Sequence, residues 1–177
     1  LIFPEFLYLN RLKKLEKISK KISFIPNSEI IFTVMLLDSS NNHKYFFHKY
    51  NLPNNIKKNL DLYSEVIKSS QKNANFFLQE LNKNIFIYGK PEIKKIFLIN
   101  SVLSKKNLSA KTEEVFNKID KILIPKFPIS GNDLIKRGVK SGKNIGEILK
   151  KIEQIWLKNN FKIENHQINA LVKKYLT

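Results

Sequence analysis

The sequence predicts an all-α fold, made of an irregular multi-helix bundle followed by a small helical tail domain. Apolar residues recur every three or four positions along most of the 177 residues, which is the period of amphipathic helices. Glycine, which weakens helices, occurs only 5 times. An apolar fraction of 42% with 11% aromatic residues is enough to build real cores.

Two helices are predicted at the start of the chain. The first begins near Pro4 and places four apolar residues at steps of three, three and four among lysines: Leu12, Leu15, Ile18 and Ile22. A proline and capping residues at 26–29 then precede residues 30–37. We expect those residues to form a buried helix, with a strand as the alternative because half of them are β-branched.

Five more helices are predicted before residue 123. They cover residues 43–50, 54–68, 73–88, 91–105 and 110–122. Pro53 and Pro91 suit first helical turns, where a missing N–H costs nothing, and Gly89 suits a helix end. The phenylalanine pairs at 46–47 and 76–77 lie among apolar residues, so we expect them in the core and not as stacking platforms for a ligand.

A domain boundary is expected where Pro125 and Pro128 interrupt the helical pattern. We place one helical domain at residues 1–122 and a helical tail domain at residues 123–177. Four of the five glycines lie in the tail domain, between residues 125 and 156. We expect them to specify a turn between two helices, because glycine permits positive φ and the close approach of another backbone.

The two tail helices are predicted from capping residues and periodicity. Residues 130–133 supply caps for a short helix that Gly138 ends, and a second helix follows at 143–158. Six apolar residues form one stripe on the second helix: Ile145, Ile148, Leu149, Ile152, Ile155 and Trp156. Four lysines fall on the opposite side: Lys143, Lys150, Lys151 and Lys158. We expect one face to pack and the other to stay solvated and positive.

The start of the second tail helix is a predicted phosphate-binding site. The first N–H groups of a helix have no intrahelical acceptor, and the helix dipole adds partial positive charge there. Arg137, Lys140 and Lys143 surround this turn, so a nucleic-acid backbone is the natural ligand. The alternative hypothesis is that the glycines only let the two helices pack closely and that the lysines bind nothing.

Net charge alone does not decide between these hypotheses. The chain carries +17 at pH 7, but Arg11 and Arg137 are the only arginines among its 32 basic residues. Together with the abundant asparagine and isoleucine, this bias indicates drift toward A/T-rich codons. A solvated lysine coat therefore explains the charge as well as nucleic-acid binding does.

Most catalytic and metal chemistry is excluded by the composition. The chain has no cysteine, hence no disulfide, thiolate nucleophile or cysteine-based zinc site. It has no Asp-x-Asp pair, no Gly-x-Ser-x-Gly elbow and no P-loop motif, and His43 and His48 are not spaced as helical zinc ligands. We expect no catalytic residue, no metal and no cofactor here. We expect no membrane partner either, because no apolar run approaches the roughly 20 residues of a spanning helix.

Three strings in the tail resemble one known family. They are I-S-G-N-D-L at 129–134, G-x-x-x-G-x-x-x-G-x-x-L at 138–149 and W-x-x-x-x-F at 156–161. They are similar to the C-terminal end of bacterial class II tRNA nucleotidyltransferases, the CCA-adding enzymes, which are closely related to bacterial poly(A) polymerases. Residues 9–15 and 52–58 resemble helix starts in the body region of that family. Ser141 and Lys143 stand where the family often has prolines.

The resemblance implies a role without catalysis. In that family the helical body and tail hold the acceptor stem and elbow of tRNA through backbone contacts, while an N-terminal head with Gly-Ser and Asp-x-Asp elements uses Mg and CTP or ATP. The head has no counterpart in these 177 residues. The chain thus resembles the tRNA-binding body and tail, with tRNA or another RNA as its partner and a separate catalytic head polypeptide as a further possible partner. The residues that choose between CCA, a single A and poly(A) belong outside it.

The resemblance also gives a set of candidate residues. Those expected to bind RNA are Lys126, Ser130, Lys136, Arg137, Lys140, Gly142, Lys143, Asn144, Lys150 and Lys151. Those expected to form the structural turn are Gly131, Gly138 and Gly146. Two alternatives stay open: a structural scaffold that braces a separately encoded head without touching RNA, and an inactive remnant. We expect a cytoplasmic location, which agrees with the absence of cysteine.

Overall fold

The computed structural model describes residues 8–38, 40–104, 110–140 and 142–176. Over these ranges the chain forms ten α-helices and no strand, so the all-α prediction is confirmed. The chain forms two compact units, Leu1–Ile122 (unit 1) and Leu123–Thr177 (unit 2).

Within the described ranges, unit 1 contains seven helices. These are α1 (Asn10–Lys21), α2 (Ser28–Leu36), α3 (Asn42–Tyr50), α4 (Asn54–Lys72), α5 (Leu81–Tyr88), α6 (Lys90–Leu103) and α7 (Ala110–Lys121). Unit 2 contains α8 (Gly131–Lys136), α9 (Lys143–Lys158) and α10 (Asn165–Leu176). The predicted helix that starts near Pro4 is described from Asn10 onward; residues 1–7 and the predicted end at Lys105 lie outside the described ranges.

Helix α6 is the centre of unit 1. It contacts α1, α2, α4, α5 and α7. Its buried side chains occur on several sides of the helix: Ile93, Ile96, Phe97, Leu98, Ile99 and Val102. A helix that is apolar on most of its circumference belongs inside a bundle. Five other helices of unit 1 therefore pack on α6, and α3 packs on α4.

Residues 30–37 belong to a helix and not to a strand. The side-chain oxygen of Asn27 accepts a hydrogen bond from the Ile30 N–H at 3.0 Å, which caps the start of α2. At the other end, the Arg11 guanidinium donates to the carbonyls of Val34 and Leu37 at 3.1 and 2.6 Å. Both ends of α2 therefore have hydrogen-bond partners, and the strand alternative is wrong.

The predicted helix at 73–88 is helical only from Leu81 to Tyr88. Residues 74–80 form turns, because the Asn73 side chain accepts from the Asn75 N–H at 2.9 Å and donates to Glu80 at 2.9 Å. Asparagine side chains that bond to nearby groups in this way compete with the helical hydrogen-bond ladder. The phenylalanine pairs do lie where core packing requires: Phe46, Phe47 and Phe76 are buried, and the half-buried ring of Phe77 contacts Phe97.

A buried histidine connects α3 to α4. His43 is 1% exposed, and its Nε2 lies 3.0 Å from Oδ1 of Asp61. Its Nδ1 is buried and has no hydrogen-bond partner within the described ranges. Burial lowers the pKa of His43 below its ordinary value of 6.5, although the bond to Asp61 acts in the opposite direction. The neutral imidazole is therefore the form that the fold accommodates.

We predict that unit 1 loses stability as the pH falls below about 6.5, the ordinary pKa of histidine. Because the folded chain has the lower His43 pKa, the unfolded chain takes up the proton first, and stability present above the unfolded pKa is lost on acidification. The unfolding midpoint, measured by circular dichroism, should therefore fall between about pH 7.5 and about pH 5.5. The His43→Gln variant should show a smaller fall.

The matched control for this prediction is His48→Gln. His48 lies on the same helix but is exposed, so this variant should keep the pH dependence of the unchanged chain. An identical pH dependence in the His43→Gln variant would show that His43 does not carry the effect.

Candidate nucleic-acid interface

Unit 2 is built around one small apolar core. Six buried residues form it, two from each of three successive parts of the chain: Leu134 and Val139, Ile148 and Ile152, and Ile168 and Val172. Phe127, Ile129 and Ile145 are among the partly buried side chains packed against them. Helix α9 contacts both α8 and α10. The apolar stripe predicted on α9 therefore faces the core, and the opposite side of α9 faces solvent.

The start of α8 is fixed by a capping box. The Ser130 hydroxyl accepts from the Asp133 N–H at 3.3 Å, and Oδ2 of Asp133 accepts from the Ser130 N–H at 2.9 Å and from its hydroxyl at 2.6 Å. The bond from the hydroxyl is the main cause of a lowered pKa at Asp133. Ser130 thus has a role within the fold, as the cap of α8.

The four glycines of unit 2 have three different environments. Gly138 (φ +93°) and Gly142 (φ +139°, the N-cap of α9) adopt positive φ, as a turn requires. Gly131 lies in α8, where an added Cβ would be 3.3 Å from Cγ2 of Ile145. Gly146 lies in α9, is exposed, and an added Cβ would meet nothing within 4 Å. The turn geometry is therefore confined to Gly138 and Gly142, while Gly131 and Gly146 are helical.

The N-terminus of α9 is open to solvent. Its N-cap, Gly142, has no side chain to accept a hydrogen bond, and its first turn contains no acidic residue. The Ile145 N–H donates to the Gly142 carbonyl at 3.2 Å. Helix geometry leaves the N–H groups of Lys143 and Asn144 without an intrahelical acceptor, in the region where the helix dipole is positive.

Eight of the ten predicted RNA-binding residues have exposed polar side chains: Lys126, Ser130, Lys136, Lys140, Lys143, Asn144, Lys150 and Lys151. Four of them lie in the turn before α9, at its N-terminus or along its exposed side, as Gly146 does: Lys140, Lys143, Asn144 and Lys150. The exposed acidic residue Glu147 lies on the same side of the helix. At 100° per residue, Lys143, Gly146 and Lys150 fall within about 60° of the helix circumference, and the two lysines are about 10.5 Å apart along the axis. We call Lys140, Lys143, Asn144, Gly146 and Lys150 the lysine surface.

Two of the predicted residues are held by α10. Arg137 donates to the side-chain oxygens of Asn169 and of Asn165, the latter at 3.1 Å. Lys151 donates to the Tyr175 hydroxyl and lies 4.9 Å from the centre of its ring. That bond is the main cause of a raised pKa at Lys151. Both side chains thus tie α10 to the rest of unit 2.

Helix α10 itself was not among the predicted helices. Ile168, Val172 and Tyr175 recur at steps of four and three, which is the signal that could have revealed it. The acceptors Asn165 and Asn169 have no such signal, because asparagine is common along the whole chain.

The W-x-x-x-x-F string is a helix C-terminus. The Phe161 N–H donates to the Trp156 carbonyl at 2.8 Å, and Asn160 has φ +52°. This bond and the left-handed residue before it are features of the Schellman motif, which is often accompanied by an apolar contact between the same two residues. Here the two rings meet edge to face, with centroids 4.8 Å apart. The Phe127 ring also packs against Trp156, with centroids 5.3 Å apart.

Two features of the described ranges bear on the candidate site. No group of three or more His, Asp or Glu residues there is arranged to hold a metal ion. No helix in the same ranges is long and apolar enough to cross a membrane.

We predict opposite stability effects for alanine at two glycines of α9. Gly142→Ala should destabilise unit 2 by about 1–3 kcal/mol, because its φ and ψ are accessible essentially only to glycine. Gly146→Ala should stabilise it by up to about 1 kcal/mol, because alanine favours a helix and the added methyl has open space. Unfolding followed by fluorescence of Trp156, the only tryptophan, reports on unit 2 directly. A destabilised Gly146→Ala variant would contradict the geometry described above.

Comparison with known proteins identifies the family. A family model for tRNA nucleotidyltransferase domain 2 matches residues 25–172. The mitochondrial CCA tRNA nucleotidyltransferase 1 of Homo sapiens is 39% identical over 51 residues, which cover 29% of this chain and 12% of that protein. Those of Mus musculus and Danio rerio are 37% identical over 51 residues and 42% identical over 45 residues, covering 29% and 25% of this chain and 12% and 10% of their own lengths.

The curated relatives are therefore matched over a small part of their own length, whereas the family model extends over most of the chain. The expected resemblance to tRNA nucleotidyltransferases is confirmed at the level of the family. The chain belongs to the tRNA nucleotidyltransferase domain 2 family.

Proposed function

We propose that the chain is the non-catalytic, tRNA-binding part of a tRNA nucleotidyltransferase, and that the lysine surface contacts the sugar–phosphate backbone of the acceptor stem or elbow. Family membership supports tRNA as the ligand. The charge of unit 2 supports the location, because residues 123–177 contain eleven Lys or Arg and four Asp or Glu.

The observation that carries this proposal is the exposed glycine in α9. Glycine inside a helix costs about 1 kcal/mol relative to alanine. At Gly138 and Gly142 positive φ explains the glycine, and at Gly131 close packing against Ile145 does. At Gly146 neither reason applies, because the position is helical and open. The close approach of an external backbone is a role that would favour glycine there.

The chemistry of the lysine surface suits an RNA helix. Double-stranded RNA is recognised mainly through phosphates and 2′-hydroxyls across its shallow minor groove, and not through base edges. Lys143 and Lys150 would neutralise phosphates beside Gly146, although the exposed Glu147 lies one helical turn from each lysine. The open N–H groups at the start of α9 would donate hydrogen bonds to a further phosphate oxygen. The Asn144 side chain can both donate to and accept from a 2′-hydroxyl.

The proposal also narrows the set of contact residues. Ser130 caps α8, and Arg137 and Lys151 bond to α10, so their role is to hold unit 2 together. Lys126 and Lys136 are exposed and could extend the contact along the RNA. We therefore propose that the residues of the lysine surface make the main direct contacts to the RNA backbone.

Further parts of the proposal concern the rest of the enzyme. We propose that unit 1 corresponds to the body and unit 2 to the tail, and that the chain by itself transfers no nucleotide because Mg and the nucleotide are bound by a head. We keep a cytoplasmic location as a proposal, although the three relatives named above are mitochondrial proteins. Fractionation of the source cells tests the location.

We predict that Lys140→Glu with Lys143→Glu weakens tRNA binding. The reversal of charge removes attraction to phosphates. The negative slope of log affinity against log salt should therefore become shallower by about 0.9 for each lost duplex phosphate contact. Fluorescence anisotropy with labelled tRNA over a salt series measures both quantities. The matched control is Lys13→Glu with Lys17→Glu on α1, an equal charge change at exposed positions.

Three results would contradict this part of the proposal. An equal loss in the control pair would show that bulk charge attracts the RNA. Unchanged binding in the Lys140 and Lys143 variant would place the contact elsewhere. No binding of tRNA by the unchanged chain at low salt would favour the scaffold or the remnant.

We predict that Gly146→Gln weakens tRNA binding while leaving unit 2 folded. The side chain has open space within the protein, so the fold tolerates it, but it would fill the open surface beside Lys143 and Lys150. The control variant is Gln154→Ala, a change at an exposed position further along α9, which should leave tRNA binding unchanged. Undiminished affinity of the Gly146→Gln variant would remove the main support for backbone contact at this position.

A further inference from the structure

A second exposed surface lies on α3 in unit 1. The helix packs His43, Phe46 and Phe47 inward, and all three are buried. The exposed residues of the opposite side are Lys44, Tyr45, His48 and Lys49. At 100° per residue, Tyr45 and His48 lie opposite the buried side, about 60° apart and one turn apart along the axis, with a lysine on each flank. We call these four residues the α3 face.

The composition of the α3 face is not that of an ordinary solvated helix surface. Such a surface usually mixes lysine with glutamate, but α3 contains no acidic residue. Tyr45 is 64% exposed, and its ring contacts no other ring in the described ranges. Lys68 of α4 donates to the Asn41 side chain at the start of α3, which places a further cation nearby. Flat rings are thus presented to solvent between positive charges.

We propose that the α3 face binds an unpaired, unstacked stretch of RNA. Single-stranded RNA is held by aromatic rings that stack on its bases and by cations that neutralise its phosphates, and the α3 face offers both. Tyr45 and His48 supply the rings, and Lys44 supplies a charge. Lys49, whose Nζ lies 5.2 Å from the centre of the Tyr50 ring, is a second cation on the same face. A continuous RNA duplex does not present its base planes in this way, so this site differs in its ligand from the lysine surface.

Other partners fit the α3 face less well. An amphipathic helix that binds a membrane surface buries large apolar residues such as Trp, Phe or Leu, whereas Phe46 and Phe47 point into the core. An acidic peptide would use the lysines but would not explain the exposed tyrosine. The inference concerns a surface of unit 1 and does not depend on the lysine surface, which lies on unit 2.

The test is ultraviolet cross-linking of the full chain to a short single-stranded uridine-rich oligonucleotide. Trypsin cleaves after Lys44 and Lys49, so the residues between them are released as one peptide, Y-F-F-H-K, that contains Tyr45 and His48. Mass spectrometry should find this peptide carrying a nucleotide. Tyr45→Ala should weaken binding of the same oligonucleotide about tenfold, the size expected for losing one stacked base. Tyr45→Phe keeps the ring and should retain most of the affinity.

Charge variants provide the second arm of the test. Lys44→Glu should weaken oligonucleotide binding. The negative slope of log affinity against log salt should become shallower by about 0.7 for each lost single-strand phosphate contact. Lys17→Glu, an equal change at an exposed position of α1, should have a smaller effect. Circular dichroism confirms that each variant is folded, which the exposure of Tyr45 and Lys44 leads us to expect.

Each of the following results would overturn the inference. One is unchanged affinity of a folded Tyr45→Ala variant for the oligonucleotide; another is cross-linking confined to peptides outside α3. A third is binding to anionic phosphatidylserine vesicles that Tyr45→Ala abolishes while oligonucleotide binding persists. Failure of the lysine surface to bind tRNA would leave these readouts unaffected, so the two proposals fail separately.

Discussion

The display of charge on unit 2 depends on the packing of one side of α9. Ile148 and Ile152 are buried against residues of α8, the turn after it and α10, so the helix cannot rotate without exposing them. The opposite side then carries its lysines into solvent. The two ends of α9 are fixed independently, by the glycine-only conformation of Gly142 and by the Trp156–Phe161 ring contact at its C-terminus. A rigid helix with a defined start is what a phosphate-binding N-terminus requires.

Unit 1 supports its helices with a partly buried polar network as well as with α6. The Tyr63 hydroxyl donates to Oε2 of Glu92 at 2.9 Å, and Lys95 bridges Glu92 and Glu29 at 2.8 and 3.3 Å. Burial raises the pKa of Tyr63, so this hydroxyl remains a donor. The network connects α2, α4 and α6. Helix α3 in turn is tied to α4 by the His43–Asp61 pair, so its outward face is held on a fixed support.

The features that local sequence determines were predictable. The bounds of α9 follow from its apolar period and its glycine start, and the predicted range 143–158 agrees with the structure. The capping residues of α8 were also predicted, and they form a capping box. Side-chain roles that depend on hydrogen-bond partners distant in sequence were not predictable. Arg137 and Lys151 have the same sequence signature as the lysines of the lysine surface, and only the position of α10 separates them. Residues 74–80 show the same limit on a shorter scale, since hydrogen bonds of the Asn73 side chain override an apolar pattern.

The central claim is that RNA backbone contacts the start of α9, and the backbone amides there test it most directly. In a titration of the isotopically labelled chain with tRNA, followed by ¹⁵N–¹H correlation spectra, the account predicts that the amide signals of Gly142, Lys143, Asn144 and Gly146 shift first and saturate together. The amides of the buried helix α6 should change little. Shifts absent from the start of α9, or spread evenly over exposed lysines of both units, would contradict the account.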